Sequence, residues 1–433
     1  MADIRPFHGL RYDPSKVPDL SSVTAPPYDV ISETQRQALA SRDPHNVVRL
    51  ILPQDEPGRD RYTRAAEDLA AWVRDGVLAR DPKPGIYVIR QSFEMNGRRF
   101  DRTGFIAAVR LEEFGKGDIY PHEETLSAPK EDRLKLMKAT RANLSQVFSI
   151  FPDDTGEAER WLAEATARQA DAESTDNAGV VTLMWCEFDQ RRIETLARLM
   201  ASRKLYIADG HHRYETALNL HRWLREHPEE AGASLEASAS IMMLCVAMSD
   251  KGLVTLPTHR LLPADVIVSI QSLLEKLTSR FDVLPIAAFS HGKGEFDRVL
   301  ASDVSPNVMG LYVGSSLPTM RIVPRDRNAL LAAMPPRSEA WRGLDVSILQ
   351  VEVLEAMLGL TLEDVTRKQR IGYTHDADEA MELVDAGNYA AAFILRPTPV
   401  QAVAAVARNL EKMPPKSTFF YPKALTGLVI RQL

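Results

Sequence analysis

Residues Lys204–Leu220 read KLYIADGHHRYETALNL, and the rest of the chain is understood from this stretch outward. Leu205, Tyr206, Ile207 and Ala208 form a short apolar run of the kind that makes a buried strand, and Asp209 and Gly210 break it. From Tyr214 to Leu224 good helix formers follow, with Ala217, Leu220 and Leu224 at helical spacing. A strand, a tight turn and a helix together aim backbone N–H groups at an anion, because the first N–H groups of a helix have no intrahelical partner. Gly210 would let a ligand approach the backbone closely. Arg213 offers a bidentate phosphate donor, and His211 or His212 a hydrogen bond or a transferable proton. The competing structural reading makes Asp209 a helix cap and leaves both histidines merely exposed. Adjacent histidines followed by an arginine gain nothing as packing residues, so a phosphate turn is the stronger reading.

A chain of 433 residues is too long for one core and implies two or three domains. With 45% hydrophobic and 26% charged residues it has the balance of an ordinary globular protein. The formal net charge of −6 argues against a sequence-independent nucleic-acid binder, which would carry a basic stripe. No apolar run reaches the length of a membrane span, and MADIRPFHGLRYD contains no signal-peptide core, so a cytoplasmic protein without a membrane partner is expected. The two cysteines, Cys186 and Cys245, sit among apolar neighbours and are expected to be buried thiols in a reducing compartment.

Upstream, APPYDVIS places Tyr28 and Asp29 after a rigid Pro26-Pro27 pair, with Ser32 and Glu33 opening a helix. DPHNVVRLILP reads as a turn feeding a strand through Val47, Val48, Leu50, Ile51 and Leu52. Arg61 to Val77 is an amphipathic helix, with Ala65, Leu69, Trp72 and Val73 on one face. GIYVIRQSFEM and RRFDRTGFIAAVRLEEF are strands joined by Asn96-Gly97, a hairpin turn. PKEDRLKLMKATRANL is a basic helix, and VFSIFPD, VVTLMWCEF and ASIMMLCVAMS are strands. From Leu262 onward helices and paired strands alternate, ending in a short strand near Leu428–Ile430. Antiparallel hairpins mixed with helices make the class α+β. The expected division is 1–260 around the central turn and 261–433 as a C-terminal α+β region capping the site.

PHEETLSAPKEDRLKLMK forms a second polar cluster, in which His122, Glu123 and Glu124 precede Lys130, Arg133 and Lys135. Carboxylates beside cations suit a general base near a phosphate cradle, although a solvated, salt-bridged helix face has the same composition. HEETL is not a zinc HExxH motif, since Leu126 stands where the second histidine is needed, and adjacent His211 and His212 diverge too far to share an ion. No dedicated metal site is expected; a Mg2+ ion would arrive with a nucleotide or pyrophosphate, needing one or two carboxylates. Thr258, His259 and Arg260, after a strand, form a candidate second phosphate-contact turn. No GxxxxGK[ST], GxGxxG or GxSxG motif is present.

DGHHR between strand and helix resembles the phosphate turn of the ParB/sulfiredoxin-like superfamily. RPFHGLRY, APPYDVIS, the His122-to-Arg133 stretch, ADGHHRYETAL and PPKSTFFYPKALTGLV, in that order, resemble one prokaryotic family, domain-of-unknown-function family 1015, over essentially the whole chain. The resemblance implies a ParB/sulfiredoxin-like phosphate-binding core and three candidate activities. Sulfiredoxins carry cysteine in a G-C-H-R turn, and His211 occupies that position here, which argues against sulfinic acid reduction. ParB proteins pair CTP hydrolysis with a helix-turn-helix and DNA, for which this chain lacks a basic surface. Free-serine kinases of the superfamily have the turn most similar to DGHHR. They imply a phosphotransferase or phosphohydrolase acting on a small phosphate ligand, serine or O-phosphoserine first, with a nucleotide or pyrophosphate partner. Within that resemblance Gly210, His211, His212 and Arg213 would hold phosphate, supported by Lys130 and Arg133. Glu123 would be the base, with His122, Asp209 or His211 as alternatives, and Tyr28, Asp29 and the Thr258–Arg260 turn would contact substrate. The alternative is a ParB-like nucleotide-binding regulator associated with DNA.

Overall fold

Asn96 and Gly97, at φ of +51° and +69°, close the hairpin between the strands Ile86–Met95 and Arg98–Arg110, the turn that positive φ at both central residues requires. That hairpin is the middle of a nine-stranded sheet. In the computed structural model, which describes residues 2–124, 127–286, 294–361, 364 and 370–433, the sheet runs Ile119–Tyr120, Leu205–Asp209, Val147–Phe151, Ser240–Ala247, Arg98–Arg110, Ile86–Met95, Val181–Glu187 and Ala172–Thr175, with Ile4–Arg5 paired to Arg98–Arg110. Two pairings are parallel, Leu205–Asp209 with Ile119–Tyr120 and Ser240–Ala247 with Val147–Phe151, and the others are antiparallel. Every residue of Ser240–Ala247 is buried, as a strand covered on both faces must be. The class is α+β.

The backbone falls into two compact units: Met1–Pro121, Thr125–Val254 and Pro422–Leu433 in the first, His122–Glu124 and Thr255–Tyr421 in the second. This differs from a single cut at 260/261. The last strand, Ile430–Gln432, pairs with Gly9–Tyr12 and with Ala142–Asn143 in a small four-stranded sheet, so the C-terminus belongs to the first unit. The second unit is built on a six-stranded antiparallel sheet ordered Phe281–Pro285, Met320–Pro324, Met309–Tyr312, Ala391–Ile394, His259–Leu262 and Gly372–Thr374. Its core gathers Leu261, Phe296, Leu300, Tyr312, Ala380 and Ile394.

One expected strand is instead helical. Val48–Ile51 is a single helical turn, because the Asn46 carbonyl side chain accepts the Val48 N–H at 2.9 Å and Val48, Leu50 and Ile51 are all buried in one core cluster. Ser32 does cap Glu33–Arg42, in a capping box with Gln35. Both cysteines are buried free thiols, their pKa pushed up to about 12 by burial. No helix among the described residues is long and apolar enough to cross a membrane.

Candidate phosphate site

The run Leu205–Ala208 becomes the strand Leu205–Asp209, its apolar residues buried. Pairing with Val147–Phe151 shifts register between Ile207 and Asp209, a bulge that re-aims the end of the strand. Gly210 then adopts φ +90°. A Cβ there would lie 2.8 Å from Nε and 2.9 Å from Cζ of Arg213, so glycine is needed both for the left-handed backbone and for the arginine folded over it. The helix His211–Glu226 starts without any side-chain cap, and Tyr214 N–H to Gly210 C=O, 3.0 Å, is its first closing bond. The positive end of a four-turn helix is thereby presented at the turn. Tyr214 anchors it: the phenol donates to Glu112 C=O and accepts from Glu112 N–H, each at 2.9 Å, and its ring stacks on Phe114.

Arg213 is committed to the fold. Its Nη1 donates to Gln146 C=O and its Nη2 to Asp209 Oδ2 at 2.5 Å, while Lys423 Nζ donates to Asp209 Oδ1 at 2.6 Å. Asp209, Arg213 and Lys423 side chains are only 15%, 8% and 16% exposed, so the carboxylate is a buried counter-ion for two cations. Asp209 in that state organises the turn and is poorly placed to accept a proton.

The two histidines differ. His211 is buried in the fold, whereas His212 is half-buried. Burial lowers the His212 pKa and the nearby Glu215 and Asp29 carboxylates oppose that shift, while Lys130 and Arg213 reinforce it. Burial thus favours the neutral ring, the form that can accept a proton. Lys130, on the helix Ser127–Thr140, pairs with Glu215 at 2.8 Å, and the two helices pack together. Arg133, from the same helix, is spent elsewhere: it donates to Ile51 C=O at 2.5 Å and to Asp132, and lies 4.3 Å over the Tyr28 ring. Against the expectation of a phosphate contact, Arg133 is a clamp on Tyr28, whose hydroxyl burial raises in pKa. Tyr28, Arg133, Thr140, Asn143, Ser145 and Arg213 line a cavity of about 40 Å³, the size of a bound water, where Asn143 Nδ2 is buried without a hydrogen-bond partner among the described residues.

Within the first unit the structure thus assembles Tyr28, Asp29, Lys130, Arg133 and Asp209–Arg213. Glu215 and Lys423 were missed by sequence reasoning. Glu215 lies one helical turn beyond His211 and is legible in retrospect; Lys423 comes from 214 residues away, without a local signal.

The other expected site residues belong to the second unit. His122 is buried, its Nε2 3.0 Å from Thr418 Oγ1, and Glu123 C=O accepts from Lys412 Nζ at 3.2 Å. Thr258, His259 and Arg260 are all buried, and His259 and Arg260 form the start of a strand where a phosphate turn was expected. Arg260 Nη1 donates to Thr258 C=O and Nη2 to Pro415 and Lys416 C=O at 3.0 and 3.1 Å, so its fork is used on backbone. Burial pulls its pKa down to about 10. Among the described residues no group of three or more His, Cys, Asp or Glu is arranged to hold a metal ion.

A family model described as a protein of unknown function, DUF1015, matches residues 4–347. The chain belongs to that family. No curated protein matches this DUF1015 chain. Among solved structures, a free serine kinase in complex with AMP aligns at 12% identity and TM-score 0.33, over 70% of this chain and 83% of the kinase. SbnI with a C-terminal truncation from Staphylococcus aureus aligns at 10% identity and TM-score 0.34, over 74% and 85%. A conserved hypothetical protein from Pyrococcus furiosus aligns at 12% identity and TM-score 0.31, over 70% and 87%.

Proposed function

We propose that this protein is a phosphoryl-transfer enzyme acting on a small metabolite, with serine or O-phosphoserine as the first candidate and a nucleotide or pyrophosphate as the other phosphate carrier. The observation that carries this reading is the uncapped N-terminus of His211–Glu226 behind Gly210, with Lys130 and the half-buried imidazole of His212 beside it. Phosphoryl transfer asks mainly for positioning and for neutralisation of charge on the transferring group, and helix N–H groups and a lysine supply both. His212 would take the proton from the acceptor hydroxyl or water. Asp209, Arg213 and Lys423 act as positioning residues that fix the turn. Asp29 is the carboxylate that would meet a Mg2+ ion brought in by a nucleotide, which would supply further charge neutralisation there, while Glu215 holds Lys130. Glu123 as the base rests on the family resemblance alone.

The test is phosphorus NMR on purified protein mixed with serine or O-phosphoserine and ATP, ADP or pyrophosphate, with and without magnesium. Transfer in any pairing, lost in His212→Asn, is the expected result. Protein that moves no phosphate in any mixture, yet changes its DNA retention with nucleotide, would favour a regulator.

A further inference from the structure

The second unit holds an arginine pair that the phosphate turn does not use. A cleft of about 730 Å³ is lined by Asn307, Arg327, Gly343, Asp345, Arg396 and Ala402, among others, all from that unit. That volume is within the range of about 300–1,000 Å³ common for small-molecule sites.

One relay of hydrogen bonds holds both guanidinia. Asn307, at φ +58° and almost fully buried, donates from Nδ2 to Gly343 C=O at 2.7 Å and to Asp345 Oδ1 at 2.9 Å. Its Oδ1 accepts from Arg327 Nε at 2.7 Å. Asp345 Oδ2 accepts from Arg396 Nε at 3.2 Å. Each arginine is gripped at Nε, which leaves the outer edge of its fork for something else. Neither terminal nitrogen of Arg327 has a hydrogen-bond partner among the described residues, and Nη2 stands against the bare backbone of Gly343, 3.4 Å from where a Cβ would be. Arg396 turns Nη1 toward Asp303 and Ser305 C=O at 3.3 and 3.4 Å and keeps Nη2 without a partner among the described residues. The helix Val400–Arg408 begins at the same cleft: its N-cap, Pro399, makes no side-chain cap, and Thr398, Pro399 and Ala402 are lining residues. Two carboxylates also line the cleft. Each oxygen of Asp345 accepts one bond, from Asn307 and from Arg396, and Glu339 is exposed.

We propose that this cleft binds a small phosphomonoester, its phosphate received by the terminal N–H groups of Arg327 and Arg396 and by the N-terminus of Val400–Arg408. Two guanidinium edges and a helix N-terminus offer more donors than a monocarboxylate has lone pairs to fill, and they match the three outer oxygens of a phosphate dianion. The cleft shares no residue with the proposed phosphate turn, since all of its lining belongs to the second unit.

Calorimetric titration of the full chain with AMP and with inorganic phosphate, using acetate as control, tests it. The expected result is a saturable component that Arg327→Gln weakens at least tenfold and Ala402→Glu, which adds a carboxylate to the wall without touching the relay, abolishes. Lys130→Met, in the first unit, should leave that component intact, so failure here and failure of the proposed activity are distinguishable. Arg327→Lys keeps the charge but not the fork and should fall between. Circular dichroism and Tm of each variant must match the wild type for the comparison to count, and Ala402→Glu provides the reading if Arg327→Gln fails to fold. No saturable binding in the wild type, wild-type isotherms in both Arg327→Gln and Ala402→Glu, or equal competition by acetate would overturn the proposal.

Discussion

Asp209→Asn is the sharpest perturbation of the turn. The carboxylate faces Arg213 Nη2 at 2.5 Å and Lys423 Nζ at 2.6 Å, and all three side chains are less than one-fifth exposed. An amide of the same shape removes the negative charge that Arg213 and Lys423 share. Breaking one buried ion pair costs about 3–5 kcal/mol, and the residual exposure of this triad places the expected loss near the lower figure. With an m-value of about 3 kcal/mol/M in urea, the first unit should unfold about 1 M earlier. Tryptophan fluorescence follows this unit well, because Trp72, Trp161, Trp185 and Trp223 belong to it and only Trp341 to the other. Adding Lys423→Met should then recover part of the loss, since one stranded cation is gone, and the non-additivity measures the coupling. A stability within about 0.5 kcal/mol of wild type, or no recovery in the double variant, would refute the view that Asp209 is a structural counter-ion.

Gly210→Ala should cost roughly 1–3 kcal/mol, because it combines φ +90° with a Cβ 2.8 Å from Arg213 Nε; an unchanged Tm would show that the arginine swings away freely. Burial depresses the His259 pKa to about 3, with His375 and Arg260 adding to the effect, whereas the unfolded chain titrates near 6.5. The unfolded state therefore takes the proton first, and stability should fall by about 1.4 kcal/mol per pH unit as pH drops below about 6.5, with no contribution above it. His259→Gln, which keeps an acceptor for Leu395 N–H, should flatten that acid limb in denaturation curves taken from pH 7 to 4; an identical limb would sink the assignment. Tyr214→Phe removes two part-buried hydrogen bonds to Glu112 and should destabilise by about 1–3 kcal/mol in the same urea assay.

Local signals in the chain were legible where they depended on neighbours in sequence. Asn96-Gly97 placed the hairpin, Ser32 and Glu33 placed a helix start, and the break at Asp209-Gly210 placed the turn, each because the deciding contacts lie within a few residues. Val48–Ile51 misled because an apolar run is buried equally well as a strand or as one helical turn, and Asn46 chose between them. The arginines were harder. Arg133, Arg213 and Arg260 all look like phosphate ligands in sequence, yet their forks bind the backbone carbonyls of Ile51, Gln146 and Pro415, and nothing in the local sequence announces a distant carbonyl. Lys423 and the return of Ile430–Gln432 to the first unit depend on pairing across most of the chain, which periodicity does not encode.

The central claim is that phosphate sits at the start of His211–Glu226. Its most direct measurement is the affinity for pyrophosphate by titration calorimetry in the Arg327→Gln background, compared with the same background carrying Lys130→Met or His212→Ala. A seat made by helix N–H groups, Lys130 and His212 predicts at least tenfold weaker binding in both variants, a loss of about 1.4 kcal/mol or more. Unchanged affinity in both would place the phosphate elsewhere.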